Sequence, residues 1–159
     1  MVRPRLTRNN AKQAIIGLTM LTLLVSFDAI SKYIALTLPY GEAVSVIGSL
    51  YILPTLNKNA DMIIYGFNFT IIASFLLIAV LSSLLIFGFR LPGLSTRVIL
   101  LGMAGTLGNL VDRLYYGKVV DFIYIQQGDL FTSIFNFADL FLYSAFLWAL
   151  ANLVRSSSK

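Results

Sequence analysis

The sequence predicts an all-α membrane protein, with four transmembrane helices and small β-rich segments outside the lipid. Hydrophobic residues make up 58% of the 159 residues and charged residues only 12%, about half of the roughly 25% that a soluble domain carries. The mean hydropathy is +0.83. The apolar residues also fall into separate runs of about 20 residues, which is the length that crosses a bilayer as a helix.

Four such runs predict a single integral membrane domain over residues 1–159. The first run follows a basic segment that ends at Lys12. A basic segment of this kind also begins a secretory signal peptide, but the run is long and no convincing small-x-small cleavage site follows, so we interpret it as a retained span. Three glycines in the third run allow close contact between helices. The predicted spans are residues 14–38, 67–89, 98–116 and 133–154.

Two segments between the spans, residues 39–66 and 117–132, are predicted to lie outside the lipid on the extracytoplasmic side. Residues 43–56 are rich in β-branched and aromatic side chains and have a central Gly-Ser break, which predicts a short hairpin. Residues 119–125 are also strand-like and include Asp121.

The distribution of charge predicts the orientation of the spans. Four Lys and Arg precede the first span, two lie in the connection between residues 90 and 97, and two lie in the C-terminal tail, which makes eight of the 12. Because basic residues accumulate on the cytoplasmic side, we expect both termini in the cytoplasm. The net charge of +5 therefore needs no nucleic-acid partner. All seven acidic residues fall on the opposite side, namely Asp28, Glu42, Asp61, Asp112, Asp121, Asp129 and Asp139.

Polar residues gather at the outer ends of three spans. They are Asp28 and Lys32 on the first span, Asn109, Asp112 and Arg113 on the third, and Asn136 and Asp139 on the fourth. Spacings of three or four residues place members of each set on one helix face. For Asp28 and Lys32 this spacing favours an ion pair that fixes the depth of the helix. Ionisable groups at this depth are costly and are therefore candidates for function.

The available chemistry is limited to carboxylates, amines, guanidinium groups and hydroxyls, because the chain has no Cys and no His. Two carboxylates in a partly dry site can share one proton, and such a pair can activate water and protonate a leaving group. The alternatives are a proton relay in a transporter and hydrogen bonds that only hold helices together. From the residues alone, Asp112, Asp121 and Asp129 all qualify as the partner of Asp139.

Three motifs in this order resemble those of the lipoprotein signal peptidases, the type II signal peptidases of aspartyl peptidase family A8. GNLVDRLYYGKVVDF at residues 108–122 is similar to their G-N-x-x-D-R…V-V-D-F block. FNFAD at residues 135–139 is similar to their F-N-x-A-D block, and DAISK at residues 28–32 to their D-x-x-S-K element. The order, the spacing and the four-span arrangement agree over nearly the whole chain.

The resemblance implies an aspartyl endopeptidase of the bacterial inner membrane. Its substrates would be prolipoproteins whose lipobox Cys already carries diacylglycerol, and it would cut on the N-terminal side of that Cys. We expect a monomer in membrane lipid, with no metal or organic cofactor. Residues 39–66 would form the family's small extracytoplasmic β-cradle, which covers the substrate. The implied catalytic residues are Asp121 and Asp139, and the implied substrate-binding or supporting residues are Asn57, Asn109, Asp112, Arg113, Asn136, Asp28 and Lys32.

One segment departs from the family pattern. The family usually has N-x-G-A-A-F before the second span, where this chain has NKNADM at residues 57–62. Asp61 adds a carboxylate that could repel the catalytic pair or change its proton sharing. The alternative functions are therefore a catalytically altered member that binds lipidated or signal peptides without cutting them, and a proton-coupled transporter subunit. The second is disfavoured because no acid lies in the cytoplasmic half.

Overall fold

The computed structural model describes residues 8–57, 61, 63–64, 67–87, 94–127 and 131–158. Four α-helices and six β-strands occur in this part of the chain. The helices are α1 (Arg8–Ala35), α2 (Phe69–Phe87), α3 (Thr96–Tyr116) and α4 (Phe137–Ser157). The strands are β1 (Val44–Ile47), β2 (Leu50–Asn57), β3 (Ile63–Ile64), β4 (Phe67–Asn68), β5 (Val119–Gln127) and β6 (Phe131–Phe135).

Three of the helices in the described part of the chain are long and apolar enough to cross a membrane, namely Lys12–Ala35 of α1, Phe69–Ile86 of α2 and Phe137–Ser157 of α4. The remaining helix, α3, packs against the other three and holds half of the buried residues in the described part of the chain. Asn109, Asp112 and Arg113 lower the hydropathy of α3, and all three are buried. This central helix therefore brings the polar residues inside the bundle while its neighbours present apolar surfaces outward.

The strands β1, β2, β5 and β6 form one antiparallel sheet in that order. The predicted hairpin is confirmed: β1 and β2 pair antiparallel, and Gly48 between them has a φ of 54°. Glycine is favoured at this position because it adopts positive φ without a steric penalty. The predicted strand at residues 119–125 is also confirmed, and in the centre of the sheet Thr55 of β2 pairs with Asp121 of β5.

Two helices begin later than the predicted spans. The fourth span was predicted to start at residue 133, but residues 131–135 form β6 and α4 starts at Phe137, after the N-cap residue Asn136. The second was predicted to start at residue 67, but α2 starts at Phe69, where the Asn68 side chain accepts hydrogen bonds from Thr70 N and Ile71 N. In both cases a capping Asn decides where the helix starts.

Close packing around α3 confirms the role predicted for its glycines. A Cβ on Gly105 would meet the Ala138 carbonyl oxygen of α4 and would lie 2.6 Å from Leu142 Cγ. A Cβ on Gly108 would lie 2.6 Å from Asp28 Oδ2 of α1. Small residues thus allow α3 to approach both neighbouring helices, and they bring the outer ends of α1, α3 and α4 together beneath the sheet.

Candidate active site

Asp121 and Asp139 line one cavity of about 440 Å³ that opens between the sheet and the helices. Asp121 is the third residue of β5, between Val120 and Phe122, which are both buried, and it is itself only 3% exposed. Asp139 is in the first turn of α4 and is partly exposed. The fold thus brings together the two carboxylates that the family motifs imply as the catalytic pair.

Two asparagine side chains hold the Asp121 carboxylate. Asn57 Nδ2 donates to Oδ2 at 2.7 Å, and Asn136 Nδ2 donates to Oδ1 at 2.7 Å. Asn57 is the last residue of β2, which lies next to β5 in the sheet, whereas Asn136 is the residue immediately before α4. Both donors are neutral amides, so they fix the direction of the carboxylate without supplying a positive charge.

The Asp139 carboxylate is fixed by a capping box and by a second amide. Asn136 Oδ1 accepts from Asp139 N at 2.9 Å, and Asp139 Oδ2 accepts from Asn136 N at 3.2 Å. This reciprocal arrangement satisfies two backbone donors at the start of a helix. The other carboxylate oxygen, Oδ1, accepts from Asn109 Nδ2 at 2.8 Å. Asn136 therefore contacts both carboxylates and determines their relative position.

A buried ion cluster lies behind this pair. Lys32 Nζ lies 2.7 Å from Asp28 Oδ2 and 2.7 Å from Asp112 Oδ2, so the predicted Asp28–Lys32 ion pair is confirmed and Asp112 is added to it. Lys32 Nζ also donates to Asn109 Oδ1 at 3.2 Å. Because its oxygen accepts from Lys32, the Asn109 amide must direct its NH₂ group towards Asp139.

The two carboxylates of the cluster support the two carboxylates of the cavity in matching ways. Asp28 Oδ1 accepts from Ala138 N at 2.8 Å, immediately before Asp139. Asp112 Oδ2 accepts from Val120 N at 3.1 Å, immediately before Asp121. Each supporting carboxylate thus holds the backbone N–H of the residue that precedes one member of the pair. A charge-assisted bond of this kind is stronger than a neutral one.

Arg113 and Asp61 form a separate ion pair at the edge of the cavity. Arg113 Nε donates to Asp61 Oδ1 at 2.6 Å, and both side chains are less than a tenth exposed. Arg113 also donates to the Asn109 carbonyl oxygen at 3.2 Å. The carboxylate that departs from the family pattern thus has a cationic partner. The other altered positions, Asn59 and Met62, lie outside the described residues.

Burial and a second carboxylate both raise the pKa of Asp121. Loss of water is the largest cause, the hydrogen bonds from Asn57 and Asn136 oppose it, and the charge of Asp139 raises the pKa further, to about 6. Burial disfavours the ionised form of an acid, and a nearby like charge acts in the same direction. The geometry therefore suits a pair that carries one proton, which can both accept a proton from water and donate one to a substrate oxygen.

The structure narrows the choice of partner for Asp139. Asp121 shares its cavity, whereas Asp112 faces Lys32, and Asp129 lies outside the described residues. Among the described residues there is no group of three or more His, Cys, Asp or Glu side chains that could hold a metal ion.

Two buried hydroxyl-bearing residues of the cavity lining were not identified from the sequence. Ser74 of α2 and Thr106 of α3 are 7% and 5% exposed and face the same cavity. A signal for Thr106 was present, because it precedes Asn109 by three residues and so shares its helix face. Ser74 had no comparable signal, since α2 contains no charged residue to mark its inner face.

Comparison with known proteins agrees with the motifs and the fold. The family model described as signal peptidase II matches residues 20–155. A lipoprotein signal peptidase of Dehalococcoides mccartyi is 38% identical over 138 residues, which cover 82% of this chain and 83% of the relative. One of Thermodesulfovibrio yellowstonii is 33% identical over 122 residues, covering 74% and 80%.

A solved structure described as a bacterial membrane enzyme is also similar. It superposes with a TM-score of 0.75 at 29% sequence identity, and the match covers 90% of each chain. The family-model match at residues 20–155 includes the residues that line the cavity and those of the buried ion cluster. This chain belongs to the signal peptidase II family.

Proposed function

We propose that this protein removes signal peptides from diacylglyceryl-modified prolipoproteins, as an aspartyl endopeptidase that cuts before the lipidated Cys. Membership of the signal peptidase II family supports the removal of signal peptides from prolipoproteins. The observation that carries the aspartyl mechanism is the convergence of Asp121 and Asp139 on one cavity, with Asn136 hydrogen-bonded to both.

In the proposed mechanism the two carboxylates share one proton. In this proposal Asp121 is the member that carries the proton, because burial and the charge of Asp139 raise its pKa towards neutral pH, to about 6. The Asp139 carboxylate takes a proton from water while the water oxygen attacks the carbonyl carbon of the scissile bond. The Asp121 proton goes to the carbonyl oxygen. Asp139 then returns its proton to the leaving nitrogen as the C–N bond breaks, and Asp121 recovers its proton from the collapsing hydroxyl.

The proposed site is on the extracytoplasmic side of the membrane. We propose that α3 is a fourth span beside the three apolar helices, so that both termini lie in the cytoplasm. The excess of basic residues near the termini supports this orientation. The diacylglyceryl chains would remain in lipid and hold the scissile bond at the level of Asp121 and Asp139. The protein acts as a monomer in this proposal, and no cofactor takes part.

The test is cleavage of a diacylglyceryl-modified prolipoprotein by purified protein in lipid. Asp121→Asn and Asp139→Asn keep the size of each side chain but cannot exchange the proton. We expect each to lower the cleavage rate by about a thousandfold or more, since general acid–base catalysis contributes about 10²–10⁴. Glu42→Gln, which removes an exposed carboxylate, serves as the matched control and should cut like the wild type.

Three results would contradict parts of this proposal. If wild-type protein binds the substrate and protects it without cutting, the chain is a binding member of the family. If Asp121→Asn still cuts while Asp112→Asn does not, the partner of Asp139 is Asp112. If cleavage falls at another bond, the assignment of the lipidated Cys as the cleavage position is wrong.

A further inference from the structure

The cavity lined by Asp121 and Asp139 extends between α2, α3 and α4. Its inner wall includes Ser74 and Leu77 of α2 and Thr106 of α3. Leu77 lies eight residues after Phe69, at which α2 begins, and thus about 12 Å along the axis at 1.5 Å per residue. The cavity is therefore a groove that descends from the carboxylates along the helices.

Two hydroxyl groups in this groove are restricted to one kind of hydrogen bond. Ser74 Oγ donates to the Thr70 carbonyl oxygen at 2.7 Å, and Thr106 Oγ1 donates to the Gly102 carbonyl oxygen at 2.8 Å. Each hydroxyl hydrogen is thus used within its own helix. In the part of the chain that the structure describes, no donor hydrogen-bonds to either oxygen. Both oxygens consequently offer lone pairs only, and they can bond to a ligand that carries donors.

A peptide in this groove would carry such donors. A substrate must be extended at the bond that is cut, so the residues before that bond lose the N–H···O=C bonds of a helix. In hydrocarbon each unpaired backbone group costs several kcal/mol. The groove must therefore supply acceptors for the N–H groups of the extended part of the peptide. The Ser74 and Thr106 oxygens are two such acceptors, on residues that are more than nine-tenths buried.

We propose that Ser74 and Thr106 are positioning residues that accept backbone N–H groups of the signal peptide on the N-terminal side of the scissile bond. This inference rests on the proposed function. The two hydroxyls lie on different helices, so together they hold an extended strand between α2 and α3. The groove then recognises the main chain of the substrate. It accepts signal peptides with different side chains, provided that the segment before the scissile bond is extended and not helical.

The test replaces single N–H groups of the substrate. Synthetic lipopeptides carry an ester in place of one amide at successive bonds before the scissile bond, which removes one donor and keeps the shape. With wild-type protein in lipid, we expect the ester at a bonded position to lower kcat/KM about tenfold. Esters at positions that face away from the hydroxyls should have little effect.

Protein variants identify the acceptors. Ser74→Ala and Thr106→Val should each lower kcat/KM for the all-amide lipopeptide about tenfold and should abolish the penalty of one ester position. Ser83→Ala is the matched control, because Ser83 Oγ bonds to the Ala79 carbonyl oxygen at 2.8 Å on the same helix but is exposed. This control should keep both the wild-type rate and the ester penalty.

The outcomes separate this inference from the proposed function. If wild-type protein does not cut the all-amide lipopeptide, the proposed function fails and the inference fails with it. If wild-type protein cuts all ester analogues at the amide rate, the inference alone is wrong. It is also wrong if the ester penalties persist unchanged in Ser74→Ala and Thr106→Val, since the acceptors then lie elsewhere.

Discussion

Two carboxylate pairs lie next to each other in this protein, and they differ in what neutralises them. Asp28 and Asp112 both contact the ammonium group of Lys32. Asp121 and Asp139 are instead held by asparagine amides, since Asn57 and Asn136 donate to Asp121 and Asn109 donates to Asp139. Aspartate side chains thus occupy two different electrostatic environments in neighbouring parts of one site.

The difference bears on the roles proposed for the two pairs. Asp28 and Asp112 lie beside a buried cation and accept backbone N–H groups from the residues that precede Asp139 and Asp121. The asparagine amides supply no charge, so in the proposed mechanism a neighbouring carboxylate can force one member of the pair to keep a proton. Asn109 joins the two pairs, since it accepts from Lys32 and donates to Asp139.

Removing the cation should produce the largest loss of stability. Lys32→Met keeps much of the side-chain volume but leaves Asp28 and Asp112 buried without their partner. We expect a loss of about 3–5 kcal/mol, the usual cost of breaking a buried ion pair, measured as thermal unfolding in lipid–detergent micelles. If Lys32→Met unfolds at the wild-type temperature, the Lys32 ammonium group does not stabilise Asp28 and Asp112, and it does not account for the difference between the two carboxylate pairs.

Neutralising the amide-held pair should have the opposite effect on stability. The folded protein raises the pKa of Asp121 from 3.8 to about 6, so its contribution to stability is fully present below pH 3.8 and is lost as the pH rises through about 6. Asp121→Asn does not titrate. We expect this inactive variant to become more stable than the wild type by up to about 3 kcal/mol above that pH. The measurement is the free energy of unfolding of both proteins across this pH range. If the two free energies change in parallel with pH, the comparison is contradicted.

Adding one methyl group beside the cluster should disturb it sterically. Gly108→Ala places a Cβ 2.6 Å from Asp28 Oδ2, so the carboxylate must move away from Lys32. We expect a loss of about 1–3 kcal/mol, which is typical of overpacking. Gly102→Ala is the matched control on the same helix, since its nearest neighbour would be Leu81 Cδ1 at 3.6 Å. Equal unfolding temperatures for the two variants would contradict the proposed close approach.

Substitutions of Asp61 test whether the Arg113–Asp61 ion pair stabilises the fold, as the ion cluster around Lys32 does. Asp61→Ala leaves Arg113 with its bond to the Asn109 carbonyl oxygen but without Asp61. We expect a loss of about 1–2 kcal/mol and a smaller loss for Asp61→Asn, which keeps an acceptor oxygen. If Asp61→Ala instead cuts faster with unchanged stability, the carboxylate acts on the pair at Asp121 and Asp139, as its departure from the family pattern first suggested.

The sequence was sufficient for the elements that depend on local pattern. Long apolar runs predicted four spanning helices, of which α1, α2 and α4 are long and apolar enough to cross a membrane. The Gly-Ser break between β-branched residues predicted the hairpin of β1 and β2. Both signals act over short distances in the sequence. The starts of α2 and α4 were placed too early. Hydropathy does not distinguish a strand such as residues 131–135 from the first turn of a span, and the capping role of Asn136 depends on its geometry.

The motifs also implied which residues to examine, and the i,i+4 spacing was enough to predict the ion pair of Asp28 with Lys32. The sequence alone could not predict that Asp112 contacts Lys32 of that pair, that Asp61 contacts Arg113 or that Ser74 and Thr106 line one groove. These contacts join residues from different elements, and the contact of Asp112 with the Asp28–Lys32 pair depends on Gly108, which lets α3 approach α1. Local pattern determined the segments and their chemistry, whereas the packing of the helices and the sheet decided which carboxylates contact Lys32 and which are held by asparagine amides.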